Sequence, residues 1–386
     1  MEFALNDELK MLQQTARQFA EKELLPYEKQ CEEEDGLPEE IIKQIEKKAL
    51  EAGLVGLEMP EEVGGGGYGA LAHIIMWEAL TSTVSGAMAS MVPQPSGILM
   101  NCNEEQRERF LYPVMNCEKH ECFALTEPEA GSDAGNIKTT AVKQGDKWIL
   151  NGTKRFISHA DTADFAIVFA VTDAETRAST CFLVEKGTPG FRVGQTHETM
   201  GFRGYRQAEL VMEDCEVPDA NILGAVDKGW EVSNTWLGAG RLLMAASAMG
   251  YSARAIKLAR EYAINRVQFG KPVGDFQAIQ FMLAECASEL YAARWMTYKT
   301  AWDIDNTTDG RANNEKISMC KWFATEAEAR IVDKCLQIHG GMGYMKESPI
   351  EMLYRDARIE RIWEGTSQIQ LRIIGNGLRK RGTIHW

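Results

Sequence analysis

Residues 354–370 read Tyr354-Arg355-Asp356-Ala357-Arg358-Ile359-Glu360-Arg361-Ile362-Trp363-Glu364-Gly365-Thr366-Ser367-Gln368-Ile369-Gln370. Leu353, Ile359, Ile362 and Trp363 stand apolar among charges, the pattern of a half-buried helix. Gly365 is a stop signal, because glycine takes the left-handed conformation that ends helices. Ser367 followed three residues later by Gln370 predicts a capping box opening a second helix. Glu364 is thereby wedged between the two, beside free helix N–H groups that favour negative charge. Partial burial there would raise the carboxyl pKa toward the range a general base needs. A solvated glutamate at a helix end gives the same local pattern.

Helical periodicity extends back from this stretch to residue 227. Leu242, Ala245, Ala246, Met249, Ala253, Ile256, Ala259 and Ala263 form one apolar stripe. Residues 275–303, 313–338 and 347–363 behave similarly, so 227–386 is expected to be an antiparallel four-helix bundle. Arg266-Val267-Gln268-Phe269-Gly270-Lys271-Pro272 is a tight link whose arginine suits a pyrophosphate. Gln337-Ile338-His339-Gly340-Gly341 is a helix end at which glycines admit a ligand to the backbone. Neither is a dinucleotide fingerprint, since the Gly-x-Gly-x-x-Gly order and its leading strand are absent. Arg241 lies among apolar residues, where an arginine snorkels or pairs. Trp230, Trp236, Trp295, Trp302 and Trp322 read as packing residues.

The period changes to two over residues 121–226. Strands flank Asn151-Gly152, a hairpin signal, and short β-rich runs follow at 165–170, 180–184, 191–193 and 208–212. The expectation is a small antiparallel barrel or sandwich. Phe123-Ala124-Leu125-Thr126-Glu127-Pro128-Glu129-Ala130-Gly131-Ser132-Asp133 could present hydroxyls and N–H groups to a heterocycle or pyrophosphate, and a plain surface turn fits it as well. Phe156-Ile157-Ser158 is either an ordinary strand or a ring laid against a ligand.

Residues 1–120 read as helical. One helix follows Asn6-Asp7, and Pro38 opens another that ends at Gly53. Cys31-Glu32-Glu33-Glu34-Asp35 between them is expected to be a solvated turn. Gly64 to Gly67 lack the Gly-Lys-Ser/Thr ending of a phosphate loop and read as a flexible connector. The fold class is therefore α+β and multidomain: a helical N-terminal domain over 1–120, a β domain over 121–226 and a helical bundle over 227–386.

A net charge of −14 argues against nucleic-acid binding and against an electrostatic membrane anchor. Nine scattered cysteines, none in a Cys-x-x-Cys pair, read as reduced thiols without a metal site. The opening Met1-Glu2-Phe3-Ala4-Leu5-Asn6-Asp7-Glu8 lacks the basic-then-apolar order of a signal peptide, and Arg241 interrupts the best apolar run. These features lead to the expectation of a cytoplasmic protein with no membrane insertion.

Arg-Asp-Ala-Arg-Ile followed by Trp363-Glu364-Gly365-Thr366-Ser367-Gln368, together with Thr126-Glu127-Pro128-Glu129-Ala130-Gly131-Ser132-Asp133, resembles the acyl-CoA dehydrogenase family. Motifs like those at 156–158, 266–270 and 337–341 occur in the same order in that family, so the resemblance spans the chain. It implies FAD as cofactor and Glu364 as the base that removes the α-proton of an acyl-CoA, giving a trans-2-enoyl-CoA as in β-oxidation. Phe123, Leu125, Thr126, Gly131 and Ser132 would meet the pyrimidine side of the flavin, and Phe156, Ile157 and Ser158 its ring. Arg266, Phe269, Gln277, Gln337, Gly340 and Gly341 would hold the adenosine diphosphate of a neighbouring subunit, in a homotetramer. Thr366 and Gln368 complete the implied cofactor contacts. Ser132, Arg241 and Gly365 are the implied substrate contacts, and an electron-transfer flavoprotein is the implied partner. Gly238, where many members carry an acid, and Trp363, where many carry tyrosine, depart from the pattern and leave the acyl group open. An enoyl-CoA reductase running in reverse, a non-catalytic flavoprotein of the same fold and an acyl-CoA oxidase are the alternatives.

Overall fold

A computed structural model describes residues 4–307 and 310–382. Met1 to Phe3, part of the segment read for a signal, lie outside the described residues, as do residues 383–386 at the end of the expected bundle. The first helices are α1 (Asp7–Phe19), α2 (Leu25–Glu34), α3 (Glu39–Glu51) and α4 (Ala70–Thr81). The Asn6 side chain caps α1 by accepting from the Leu9 N–H. Three short pieces follow, α5 (Gly86–Ala89), α6 (Glu104–Gln106) and α7 (Tyr112–Met115). α4 is apolar all round and buried nearly all round, as that composition requires.

Two local expectations fail in this part. Residues 31–34 are the last turn of α2, not a solvated turn, and Cys31 is buried. The glycine run at 64–67 is not a flexible connector either: Gly65, Gly66 and Gly67 donate to the carbonyls of Pro60, Gly56 and Met59. A Cβ on Gly65 would overlap the Met59 carbonyl, so the run is a packed turn that needs glycine.

The strands are β1 (Glu121–Ala124), β2 (Thr140–Gln144), β3 (Lys147–Ser158), β4 (Phe165–Val171), β5 (Ser179–Glu185), β6 (Phe191–His197), β7 (Gln207–Pro218) and β8 (Ile222–Leu223). They form one sheet in the order β6-β7-β3-β2-β4-β5-β8, with β1 paired to β4. The path is open, because β6 and β8 do not pair, so the sheet is not a closed barrel. It is also mixed, since β4 runs parallel to β1 and β2. Every residue of β4 is buried, which is why its sequence is a continuous apolar run. Phe165, Ile167 and Phe169 face a core shared with Phe110 and Leu111, while Ala166, Val168 and Ala170 face Leu150, Phe182 and Leu210.

Asn151-Gly152 is not a hairpin turn. β3 runs straight through it with a register shift against β7 between Leu150 and Gly152, and the turn falls earlier, between β2 and β3 at Gly145. Gly152 has φ 151°, and a Cβ there would lie 2.5 Å from the Thr139 hydroxyl. The glycine therefore serves a bulge against a close neighbour.

Beyond the sheet come α8 (Gly229–Asn265), the small hairpin β9 (Val267–Gln268) and β10 (Lys271–Pro272), α9 (Gln277–Asn306), α10 (Gly310–His339), α11 (Pro349–Glu360) and α12 (Ser367–Arg381). α10 packs along α8 and α9 and receives α11 and α12. α4 packs on α8, so one hydrophobic core runs from Ala16 and Leu80 through Leu242 and Ala246 to Ala324 and Leu353. Among the described residues, no helix is long and apolar enough to cross a membrane.

Candidate active site

α11 ends at Glu360, three residues before the predicted end, and the chain turns through 361–366 before α12. Glu364 itself is left-handed at φ 51°, and Gly365 follows at φ 91°. A non-glycine residue in that region costs roughly 1–3 kcal/mol and persists only when its surroundings fix it. Here side chains from three helices do so. Arg241 of α8 donates to the Glu364 carbonyl at 3.2 Å, and Lys321 of α10 donates to the Gly365 carbonyl at 3.0 Å. Gln370 of α12 donates to both, at 3.2 and 2.9 Å. The two carbonyls of the elbow are thus taken, whereas the Glu364 N–H has no hydrogen-bond partner among the described residues.

The cap of α12 is Thr366, whose hydroxyl accepts from the Ile369 N–H, and not Ser367. The expected capping box is absent. Gln370 commits its amide to the elbow, and the Ser367 hydroxyl bonds Glu326 at 2.6 Å.

The Glu364 carboxyl lies over Gly240 of α8. A Cβ at residue 240 would stand 2.9 Å from Oε2 and 3.7 Å from the Trp236 ring nitrogen. The missing side chain is what makes room for the acid, and Trp236, which packs against the second core as expected, also borders the site. Burial raises the Glu364 pKa, opposed by the charges of Arg241 and Lys321.

Trp363 anchors the other side of the elbow. Its Nε1 donates to Glu360 at 2.8 Å, and its ring meets Phe202 and Tyr205 edge-on at 4.7 and 5.8 Å. Phe202 and Tyr205 belong to the β6–β7 loop, which docks on both helical parts. The Phe202 N–H donates to Asp356 at 2.6 Å, the Gly204 N–H to Asp35 at 3.0 Å and the Arg203 guanidinium to the Glu32 carbonyl at 2.6 Å. This docking explains why 31–35 is an ordered helix end and not a solvated turn.

The same loop brings the sheet to the elbow. The Ser158 hydroxyl donates to the Gln207 side-chain carbonyl at 3.1 Å, and the Gln207 amide donates to the Tyr205 carbonyl at 3.1 Å. The Arg155 N–H donates to the Thr126 carbonyl at 2.8 Å, which ties the 123–132 segment to 156–158. Within these segments the side chains divide. Leu125 and Ile157 point into the two sheet cores, and Phe123 packs on Phe169 at 5.3 Å, so contacts from Leu125 and Ile157 are limited to backbone. Phe156 is left-handed at φ 58° and 55% exposed. Gly131 and Ser132 are exposed as well, and the Thr126 and Ser132 hydroxyls have no hydrogen-bond partner among the described residues. An open aromatic ring beside unused hydroxyls and a glycine with free space above it fits the rim of a flavin.

Arg266, Phe269, Gln277, Gln337, Gly340 and Gly341 form a second, exposed set at the far end of α8. Tyr262 of α8 and His339 of α10 bring the two helix ends together with rings 4.7 Å apart. Phe269 is 94% exposed, and a Cβ at Gly340 or Gly341 would meet nothing. An arginine, an amide and an open ring next to accessible backbone suit a nucleotide diphosphate. Residues 241 and 266 are separated by 25 positions of continuous helix, or about 37 Å at 1.5 Å per residue, so this set is not beside Glu364 of its own chain. Of the remaining expected contacts, Thr366 is turned to its helix and Gln368 is exposed on α12.

Several buried groups at the site were not expected from the sequence. Lys154 is fully buried and donates to Glu127 at 2.7 Å and to the Leu125 carbonyl at 3.2 Å. Glu127 also accepts from the Thr139 N–H at 3.0 Å, so this pair pins the 125–132 turn from below. Lys321, Glu328 and Glu360 are fully buried under the elbow. Burial pushes the Glu360 pKa up to about 8 and that of Asp356 up to about 7. Ile317, Lys321, Ala324, Glu328 and Ile331 follow the four-three spacing of a buried stripe, and that spacing was the available signal for Lys321 and Glu328.

Family models of the acyl-CoA dehydrogenase N-terminal, middle and C-terminal domains match residues 6–118, 122–215 and 227–379. The caffeyl-CoA reductase-Etf complex subunit CarC of Acetobacterium woodii is 39% identical over 384 residues, covering 97% of this chain and 99% of that one. Butyryl-CoA dehydrogenase from Megasphaera elsdenii superposes with a TM-score of 0.90 at 34% identity, covering 98% of this chain and 100% of the other. A structure described as the FAD complex of PigA gives a TM-score of 0.91 at 26% identity, covering 99% and 100%.

Proposed function

The chain belongs to the acyl-CoA dehydrogenase family, and from that premise we propose that it is a dehydrogenase forming the α,β double bond of an acyl-CoA thioester with Glu364 as its base. It is an oxidoreductase acting on a CH–CH bond, and its cofactor is FAD. When bound, FAD supplies the acceptor for the hydrogen and electron pair that leave the β-carbon. Everything else in the step falls to this chain's residues. The Glu364 carboxylate takes the α-proton, which the thioester carbonyl acidifies. The unused Glu364 N–H supports the carbonyl oxygen as charge develops on it. Exclusion of water by the acyl chain raises the pKa of Glu364 further toward that of a working base.

The observation that carries this reading is the elbow: a left-handed glutamate whose carbonyl and that of Gly365 are fixed from three helices and whose carboxyl rests over Gly240. The FAD contacts expected at 123–132 and 156–158 lie in the same chain as this elbow. The exposed set at Arg266, Phe269, Gln277, Gln337, Gly340 and Gly341 serves a neighbouring subunit's FAD in a homotetramer, a reading supported by the separation of about 37 Å along α8. An electron-transfer flavoprotein is the redox partner, in keeping with the Etf complex named for the Acetobacterium relative. We divide the chain at 120 and 226, with α8, α9, α10 and α12 as a C-terminal bundle, and place it in the cytoplasm.

Glu364→Gln is the test. The variant should keep its yellow colour but bleach with butyryl-CoA about 10²–10⁴-fold more slowly. Bleaching at the wild-type rate would remove Glu364 from its role. A second reading, reduction of an enoyl-CoA, is favoured by the reductase named above. The same residues would then act in reverse, with Glu364 delivering the proton. Equilibration of the enzyme with saturated and unsaturated CoA esters in the presence of electron-transfer flavoprotein distinguishes the directions.

A further inference from the structure

Lys321 is a lysine with no exposed surface, in the middle of α10, directly under the Glu364–Gly365 elbow. Among the described residues its ammonium has one hydrogen bond, to the Gly365 carbonyl at 3.0 Å. No carboxylate among the described residues bonds it, although the charges of Glu360 and Glu364 act on it. A buried ammonium with two of its three donors unused is costly, and a purely structural lysine would be expected to gain a partner. The groups around it come from several elements. Arg241 faces it from α8, Glu360 from α11, Glu364 from the elbow and Glu326 from its own helix. The charges of Arg361 and Lys321 act on the buried Glu328, and the charge of Glu364 also reaches Tyr205 of the β6–β7 loop.

Resting on the reading of Glu364 as the base, we propose that Lys321 is its positioning residue: it holds the elbow by the Gly365 carbonyl and keeps a cation beside the carboxyl. The first role is shared with Gln370, which grips the same carbonyl without a charge. The second is shared with Arg241, whose charge also favours the Glu364 carboxylate while its Nε holds the Glu364 carbonyl, and Gln370, being uncharged, has no part in it. A cation here favours the carboxylate form and lowers the pH at which the base becomes competent. That influence opposes the burial which holds the acid up.

The two roles separate in a pair of variants. The reaction to follow is exchange of the α-hydrogens of butyryl-CoA into D₂O, which reports proton removal without net reduction of the flavin. It is measured against pH alongside kcat and KM. In Lys321→Met the exchange should slow about tenfold at neutral pH, and its alkaline rise should move up by about one pH unit. KM should change little, because the lysine has no exposed surface to offer a substrate. In Gln370→Met the rate should fall without movement along the pH axis. If Lys321→Met does not fold, Lys321→Met/Glu360→Gln removes the cation together with its nearest acid and carries the same expectation. An unmoved pH profile in the lysine variant, or an equal shift in Gln370→Met, overturns the proposal. Failure of the wild-type protein to exchange the α-hydrogens would instead strike at Glu364 as the base.

Discussion

Lys154 and Lys321 are both fully buried, and burial lowers the pKa of each to about 8. Their surroundings differ. Lys154 is closed: its charge meets Glu127 at 2.7 Å, the Leu125 carbonyl takes a second hydrogen, and Glu127 is itself held by backbone N–H groups. Lys321 is open, with a single carbonyl partner among the described residues and acids nearby that do not bond it. A closed pair fixes a turn. An open charge can act on whatever acid lies next to it. The contrast separates support from chemistry at two places that the amino-acid type alone does not distinguish.

The largest expected effect comes from breaking the closed pair. Lys154→Met leaves the buried Glu127 carboxylate with its backbone N–H partners but without its cation and should cost roughly 3–5 kcal/mol in denaturant unfolding, with loss of FAD from the displaced 125–132 turn. Lys321→Met should cost less, because its neighbouring acids can take up protons. Equal losses would erase the distinction.

A smaller effect is expected at Glu360, the buried acid nearest Lys321. Its pKa in the folded protein, about 8, lies above the ordinary carboxylate value of about 4. A carboxyl raised in this way contributes stability that is fully present below the unfolded pKa and is lost as pH rises through the folded one. Wild-type protein should therefore lose stability between about pH 4 and 8. Glu360→Gln should flatten that decline and raise Tm at pH 8. A decline as steep in the variant as in the wild type would show that Lys321 does balance Glu360, and is closed after all.

The smallest effect belongs to the local cap. Thr366→Ala removes the hydroxyl that accepts from Ile369 and should cost about 1 kcal/mol. A loss greater than that of Lys321→Met would mean that the elbow is held by its own helix start and not from across the helices.

The sequence carried the helices with clear caps and stripes, such as α1 from Asn6 and α3 from Pro38. It also carried the apolar runs of β4 and β5. It failed where the deciding contact is distant. Asn151-Gly152 has the composition of a turn, but Thr139 across the sheet makes it a bulge. Cys31 to Asp35 have the composition of a solvated turn, but the β6–β7 loop covers them. The mixed strand order likewise depends on β1 returning to pair beside β4, which no local pattern records. At the candidate site, Glu364 and its glycine were legible because a helix break is local. Lys154, Lys321 and Gly240 were not, since a charged or tiny residue inside a long element becomes meaningful only when its neighbour from another element is known.

α8 runs unbroken from Gly229 to Asn265. A rod without a joint cannot fold back on itself, so its two ends keep a constant spacing whatever is bound at Arg241. In the proposed assembly each rod therefore serves two chains, its near half its own and its tip the adjoining one. Dilution alone should then bleed cofactor from every copy, and mixing inactive Glu364→Gln chains with chains damaged at Arg266 should restore some complete centres.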